Sequence, residues 1–346
     1  MLLKIKLVSL LIVILLGCLC SCSESSSKKT GPSLKSENQK VDSLTLLTRQ
    51  ISLDPANSNL FKLRAGIYLK EGRIDPAFRD ISKAIELNPE NPENFLMLGD
   101  IYFVLGKVDN CLSSYKKAAK LAPGSEKPML KLAETFLMLQ QFDKASPYIE
   151  RAISMNQNSS QAFYFKGLQK METGDTLSAI TQLRIAVNLD SSNYDALMQA
   201  GSLLSSQHDT TAIDYFVKAL QARPDNQQAL YFVARRYQEM GQYDTAIGFY
   251  QKMNSLYPAN KMAYYNQGYI YLVDKREFEN AITAFQQAIA IDPRFVESVY
   301  NLGRTYEALG RYKEAREQYQ QALKLKTNYP LAVDGMNRLD RIRAKK

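Results

Sequence analysis

With 346 residues, 45 % of them apolar and 23 % charged, the chain has enough hydrophobic material for a packed core and too mild a charge bias for a disordered polymer. Its 4 cysteines, three of them crowded at positions 18, 20 and 22, exclude a disulfide-stapled scaffold, and a single histidine leaves little for metal ligation. The net charge of +9 would suit an anionic partner, but the first element of the chain bears on which one.

That element is a basic stretch, MLLKIK, followed by the apolar run LVSLLIVILL and then by Gly17-Cys18. About ten apolar residues are too few to span a bilayer comfortably, but they suit the apolar region of an export signal. The segment Leu15-Leu16-Gly17-Cys18 resembles the lipobox of bacterial lipoproteins. The resemblance implies a signal peptide over residues 1–17, cleavage before Cys18 and a diacylglycerol on its sulfur, so that the mature chain is anchored to a membrane through lipid. Cys22, behind Leu19-Cys20-Ser21, is the alternative lipidation site, and an uncleaved leader would still tether the chain. Leu19, where an aspartate is associated with inner-membrane retention in some bacteria, favours the outer membrane, with the periplasmic face expected. Export removes the chain from nucleic acid. The basic residues gathered near the other end (Lys324, Lys326, Arg338, Arg341, Arg343, Lys345 and Lys346) are therefore expected to be a solvated cap, or a contact for anionic lipid or an acidic partner.

Residues 18–40 contain SESSSKKTGPSLKSENQK, rich in Ser and Lys and without apolar periodicity, which predicts a flexible tether. Residues 41–54 (VDSLTLLTRQISLD) read as an N-terminal capping helix. From 55 to 327 the chain repeats itself. A small residue returns at a spacing of 34, give or take one, at Ala77, Cys111, Ala145, Ala179, Ala212, Ala246, Ala281 and Ala315. Seven residues behind each stands Ala84, Ala118, Ala152, Ala186, Ala219, Met253, Ala288 or Ala322, two turns along the same helix face. A third set (Ala65, Gly99, Ala133, Gly167, Gly201, Ala234, Gly268, Gly303) lies on the preceding helix, where two helices must approach closely. Four residues before it come Phe61, Phe95, Met129, Phe163, Leu197, Leu230, Tyr264 and Val299, which fill the seam. Prolines such as Pro89, Pro123 and Pro258 close the second helix of a unit, and Gly72, Gly106, Gly174, Gly241 and Gly310 separate the two helices. Residues 328–346 read as a C-terminal capping helix.

The stretch VESVYNLGRTYEALGRYKEAREQYQQALKL places Leu302, Gly303, Tyr306, Ala315, Tyr319 and Ala322 as in the tetratricopeptide repeat family, which the chain resembles in eight successive units. The resemblance implies an all-α fold: a right-handed superhelical solenoid of antiparallel helix pairs with terminal capping helices. The fourth unit departs most, with Lys166 and Lys170 where the family has Leu and Tyr. The fifth is short by one residue around His208 and the seventh long by one around Lys275, changes expected to fall in the turns.

No motif for chemistry accompanies the repeats. His208 sits in a polar turn, and there is no phosphate-binding glycine loop and no Gly-x-Ser-x-Gly elbow, so the expectation is a non-enzymatic protein without cofactor or metal. What remains is the face shared by the first helices. In the family the groove-lining positions are the residue after the large apolar one and the residue four further on. Here they offer Lys62 and Gly66, Leu96 and Asp100, and Leu130 and Glu134 early in the chain, with Phe103, Leu137 and Met138 adding apolar surface. Late in the chain they offer Tyr231 with Arg235, Tyr265 with Tyr269, and Tyr300 with Arg304. An arginine one turn from a tyrosine can pair with a carboxylate or stack on an aromatic ring. These six residues are the candidate partner-binding set, for an extended protein segment. The rival occupant of the same tyrosine-rich groove is a glycan or solute, a reading weakened by the absence of tryptophan. A receptor for chaperone tails is not expected, because Lys62 is matched by Gly66 and not by asparagine.

Overall fold

The structure is a computed structural model that describes the backbone of residues 34–344 and side chains from Ser43 to Ala344. Cys18, Cys22, the leader, most of the tether and Lys345 with Lys346 lie outside the described residues. All regular elements among the described residues are helical. They fall into two compact bodies, one ending at Leu189 and the other beginning at Asp190.

The first body opens with α1 (Leu34–Leu53) and continues with four helix pairs: α2 (Ser58–Lys70) and α3 (Ile74–Leu87), α4 (Pro92–Val104) and α5 (Val108–Leu121), α6 (Lys127–Met138) and α7 (Phe142–Met155), α8 (Ser160–Glu172) and α9 (Thr176–Leu189). The second holds α10 (Tyr194–Ser206) and α11 (Ala212–Ala222), α12 (Gln227–Glu239) and α13 (Tyr243–Leu256), α14 (Lys261–Tyr269) and α15 (Phe278–Ile291), α16 (Val296–Ala308) and α17 (Tyr312–Leu325), then α18 (Pro330–Ala344). Helix α1 begins seven residues before the expected tether ends, so the last part of that segment is helical.

A fourth comb starts most of the first helices. Asn57, Asn91, Ser159, Asn193, Asn226 and Asn260 each accept a backbone N–H of the first turn with the side-chain oxygen. Each such cap satisfies a donor that the helix cannot satisfy itself and is worth about 1 kcal/mol. At the other end the chain turns through one left-handed residue. The N–H of the following residue then reaches back five positions, as Arg311 does to the Tyr306 carbonyl at 2.9 Å.

The two small-residue combs of the second helices are fully buried, Met253 included. The third comb meets them through large side chains in a complementary way. Where it carries glycine, the facing side chain is Tyr115, Leu183, Phe216, Phe285 or Tyr319. A Cβ on Gly99 would lie 2.3 Å from Tyr115 Cε1, and one on Gly303 would lie 2.8 Å from the Tyr319 ring. Each of these five repeats thus closes around one bulky side chain pressed onto bare backbone.

The departures from the pattern are absorbed locally. In the fourth repeat, Lys166 and Lys170 lean outward to Glu150 at 3.0 Å and Asp175 at 3.6 Å, while Gly167 keeps its close approach to Leu183. The residue missing from the fifth repeat is taken from the second helix: α11 begins at the comb residue Ala212 itself, without the extra turn that its counterparts have. The residue added to the seventh was expected in the turn. Instead it widens the end of the first helix into a π-turn over Ile270–Lys275, which closes at Arg276 in the left-handed region. The Glu277 N–H consequently reaches back six residues, to Tyr271, and the Phe285–Gly268 contact keeps its register.

Candidate binding groove

In the second body the first helices α12, α14 and α16 present their exposed positions side by side. Two depressions result, sharing Tyr265 and Tyr269 as a common wall. The smaller, about 410 Å³, is lined by Tyr231, Arg235, Glu239, Tyr243, Asn266 and Asp274 among others. The larger, about 940 Å³, is lined by Glu297, Tyr300, Asn301, Arg304 and Glu307 on α16, with Tyr312, Tyr329 and the α18 residues Leu331, Arg338 and Ile342. All six residues singled out in the sequence line one or both of them.

Their roles differ. Tyr300 is buried, packed on Tyr319 and Tyr329 at ring separations of 5.7 Å, and forms floor. Tyr265 is half-buried against Phe285 and Phe295, and burial pushes its phenol pKa up. Arg235 is exposed and already paired: its Nε donates to Glu239 at 2.9 Å. Arg304 donates to the Asn301 side chain at 3.0 Å and lies 6.0 Å from the Tyr300 ring centre. Among the described residues it has no ion pair, which makes it the groove's uncommitted guanidinium. Asn301 in turn donates to the Tyr265 hydroxyl at 3.1 Å, so Arg304, Asn301 and Tyr265 form one chain of polar contacts.

The wall contributed by α18 was not visible in the repeat pattern, although Arg338 stood in the basic cluster. Its guanidinium forks onto Glu307 with two bonds of 2.8 Å, and the buried Tyr319 hydroxyl donates to the same carboxylate at 2.5 Å. Burial alone would raise the Glu307 pKa, but the bonds from Arg338 and Tyr319 outweigh it and hold the carboxyl below its ordinary range. Of the other cluster members, Lys326 lies over the Tyr329 ring and Arg341 donates to a backbone carbonyl.

The first body has a depression of about 490 Å³ with an apolar floor of Leu96, Met97, Leu130 and Phe165. Lys62, Asp100 and Glu134 line it as the sequence suggests, whereas Gly66, Phe103, Leu137 and Met138 do not. Lys131 lines it as well, at a position outside the groove-lining register of the repeats. Burial would lower its pKa, yet Asp100 at 2.9 Å and Glu134 at 3.7 Å raise it. Asp100 also accepts from Tyr115 at 2.7 Å. These charges are mutually satisfied, which makes the site a structural network more than an open one. Cys111, in its comb position, is buried and free, and burial pushes its thiol pKa up. Among the described residues no cluster of His, Cys, Asp or Glu has metal-binding geometry, and no helix is long and apolar enough to cross a membrane.

Known proteins repeat the pattern. Models of the tetratricopeptide repeat match residues 233–294 and 270–333, and again 63–91 and 92–125. Tetratricopeptide repeat protein 37 of Xenopus laevis is 27 % identical over 197 residues, which are 56 % of this chain and 12 % of that protein. Superkiller complex protein 3 of Mus musculus is 24 % identical over a stretch of the same extent. The chain therefore spans only 12 % of the length of these relatives. Among solved structures, the Cut9–Hcn1 hetero-tetramer of the APC/C is alike in fold, with a TM-score of 0.52 at 21 % identity over 77 % of this chain and 52 % of that one. With family models matching repeats in both bodies and eight helix pairs in the structure, the chain belongs to the tetratricopeptide repeat family.

Proposed function

We propose that this protein is a non-enzymatic scaffold, lipid-anchored to the bacterial outer membrane through Cys18, that holds an extended segment of a partner protein in the groove of its second body. The observation that carries the binding half is the convergence of Tyr231, Arg235, Tyr265, Tyr269, Tyr300 and Arg304 on two depressions with a shared wall. A preformed surface of half-buried aromatics with a few oriented polar groups gains affinity from many modest contacts without ordering costs of its own. The anchoring half rests on the basic, apolar and cysteine segments in succession over residues 1–18. Assembly, secretion or motility complexes of the envelope are the processes such a tethered adaptor would serve.

Two measurements test the two halves. Cys18→Ser is expected to abolish incorporation of radiolabelled fatty acid while Cys22→Ser leaves it intact; the opposite pattern would move the anchor to Cys22. Partner capture from solubilised envelope is expected to fall with Arg304→Ala, since a charge-assisted bond to a half-buried guanidinium is worth up to about 1 kcal/mol. Arg235→Ala should cost less, its guanidinium being exposed and already paired. Identical partners at identical yield from the double variant would place binding elsewhere, and the apolar floor around Leu96 and Leu130 is the next surface to test.

A further inference from the structure

The larger depression carries a charge pattern with a definite length. Glu297 and Arg304 both line it, seven residues apart on α16, with Tyr300 and Asn301 between them. Seven residues of α-helix rise about 10.5 Å, so the two residues leave one face of the helix with their backbone positions that far apart. Glu297 is exposed and enters no ion pair among the described residues, and Arg304, hydrogen-bonded to Asn301 beside the Tyr300 ring, enters none either. The groove's other carboxylate, Glu307, is occupied by Arg338 and Tyr319. The positions without an ion pair are therefore one anionic and one cationic, two helical turns apart over a tyrosine floor.

Extended conformations differ in how they could match that distance. In a β-strand, side chains on one face recur about every 6.6 Å, so the nearest options fall near 6.6 and 13 Å. In a polyproline II helix, residues three apart share a face and lie about 9.3 Å apart, close enough to the spacing of Glu297 and Arg304 for flexible side chains to close the gap. The same conformation leaves its backbone carbonyls without internal partners and presents flat prolyl rings, which aromatic-lined grooves recognise. Here Tyr300 and Tyr329 supply a buried floor and Tyr265 and Tyr269 half-buried walls. Because Asn301 donates to the Tyr265 hydroxyl oxygen, the phenolic proton of Tyr265 is left for an incoming carbonyl.

We infer that the larger depression reads a proline-rich segment in the polyproline II conformation, with a basic and an acidic residue three positions apart that pair with Glu297 and Arg304. This rests on the groove-binding function proposed above and specifies its ligand.

The test uses the full chain in detergent and fluorescence polarisation of labelled proline-host octapeptides. One pair carries Glu and Lys three apart, in either chain order; a second pair carries them two apart; a third keeps the three-residue spacing but replaces the prolines by glycine. Expected is preferential binding of one of the first pair, with about tenfold loss on changing the spacing or removing the prolines. Glu297→Gln and Arg304→Gln should each weaken it about threefold, as partly exposed pairs do, at an unchanged melting temperature. The double charge reversal Glu297→Lys with Arg304→Glu should switch the preferred chain order. Equal binding of all peptides, or peptide binding indifferent to both Gln variants, overturns the inference. Variant-sensitive binding of a chito-oligosaccharide in place of every peptide would do so too, assigning the groove to glycan. If no peptide binds while capture of envelope proteins still falls with Arg304→Ala, the ligand assignment fails and the scaffold reading stands.

Discussion

Single residues set how closely the helices approach, and two glycines on neighbouring first helices show it. Gly99 has no room for a Cβ because the Tyr115 ring lies against it, whereas a Cβ on Gly66 would meet only the flexible Met97 Cε at 3.4 Å. Gly99→Ala is therefore expected to cost about 1–3 kcal/mol by overpacking, and Gly66→Ala to gain about 0.5–1 kcal/mol from helix propensity. Thermal unfolding of the two variants decides it, and shifts of the same sign would contradict the packing described. Arg338 offers a second test, through pH. Its partner Glu307 has a folded pKa below the ordinary glutamate value of 4.5, so the bridge contributes fully above that value and its contribution fades as pH falls through the folded pKa. Arg338→Met is expected to lower stability at neutral pH by about 1–2 kcal/mol, discounted because Arg338 is partly exposed. It should also flatten the acid limb of a denaturation-midpoint profile; an unchanged slope between pH 5 and about 3 would mean that the bridge does not form in solution.

At the scale of the helix pair, the turns separate what composition reveals from what it hides. Five repeats turn through glycine, while Gln140, His208 and Arg276 adopt the same left-handed backbone, at φ of 57°, 59° and 56°. Gln140→Gly and His208→Gly should each stabilise by about 0.5–1 kcal/mol, because the steric penalty removed exceeds the entropy added. Asn328→Gly, at φ 58°, should gain less, since asparagine tolerates that region; chemical denaturation of the three variants compares them. The helix pairs themselves were legible because burial leaves only small residues at Ala77, Ala84 and their successors, and a fixed spacing repeats that constraint. The capping asparagines form an equally regular comb in the sequence, at 57, 91, 193, 226 and 260. The π-turn was not legible: one extra residue near Lys275 announces itself, but whether a loop or a helix end takes it up depends on holding Phe285 against Gly268.

For the molecule as a whole, the second body is completed by a helix outside the repeat count. The six groove residues were legible because they occupy one register on successive helices, while the wall they face was not, since α18 breaks that register. Its own close approach is Gly335, set against the Cδ2–Cε2 side of the Tyr319 ring while Gly303 meets the Cδ1–Cε1 side. Ion pairs between neighbouring elements, such as Arg338 with Glu307 or Lys275 with Asp244, join residues 31 apart and leave no local signature in a sequence. Helix α18 packs chiefly on α17, with lesser contact to α16, and is fastened by the Arg338 fork. A wall buttressed on one side will tilt or stiffen when the space beside it is filled. An environment-sensitive dye on the exposed Arg341 position, beside the groove-lining Ile342, would therefore convert occupancy into an optical signal, making the protein a reagent for finding its own ligand.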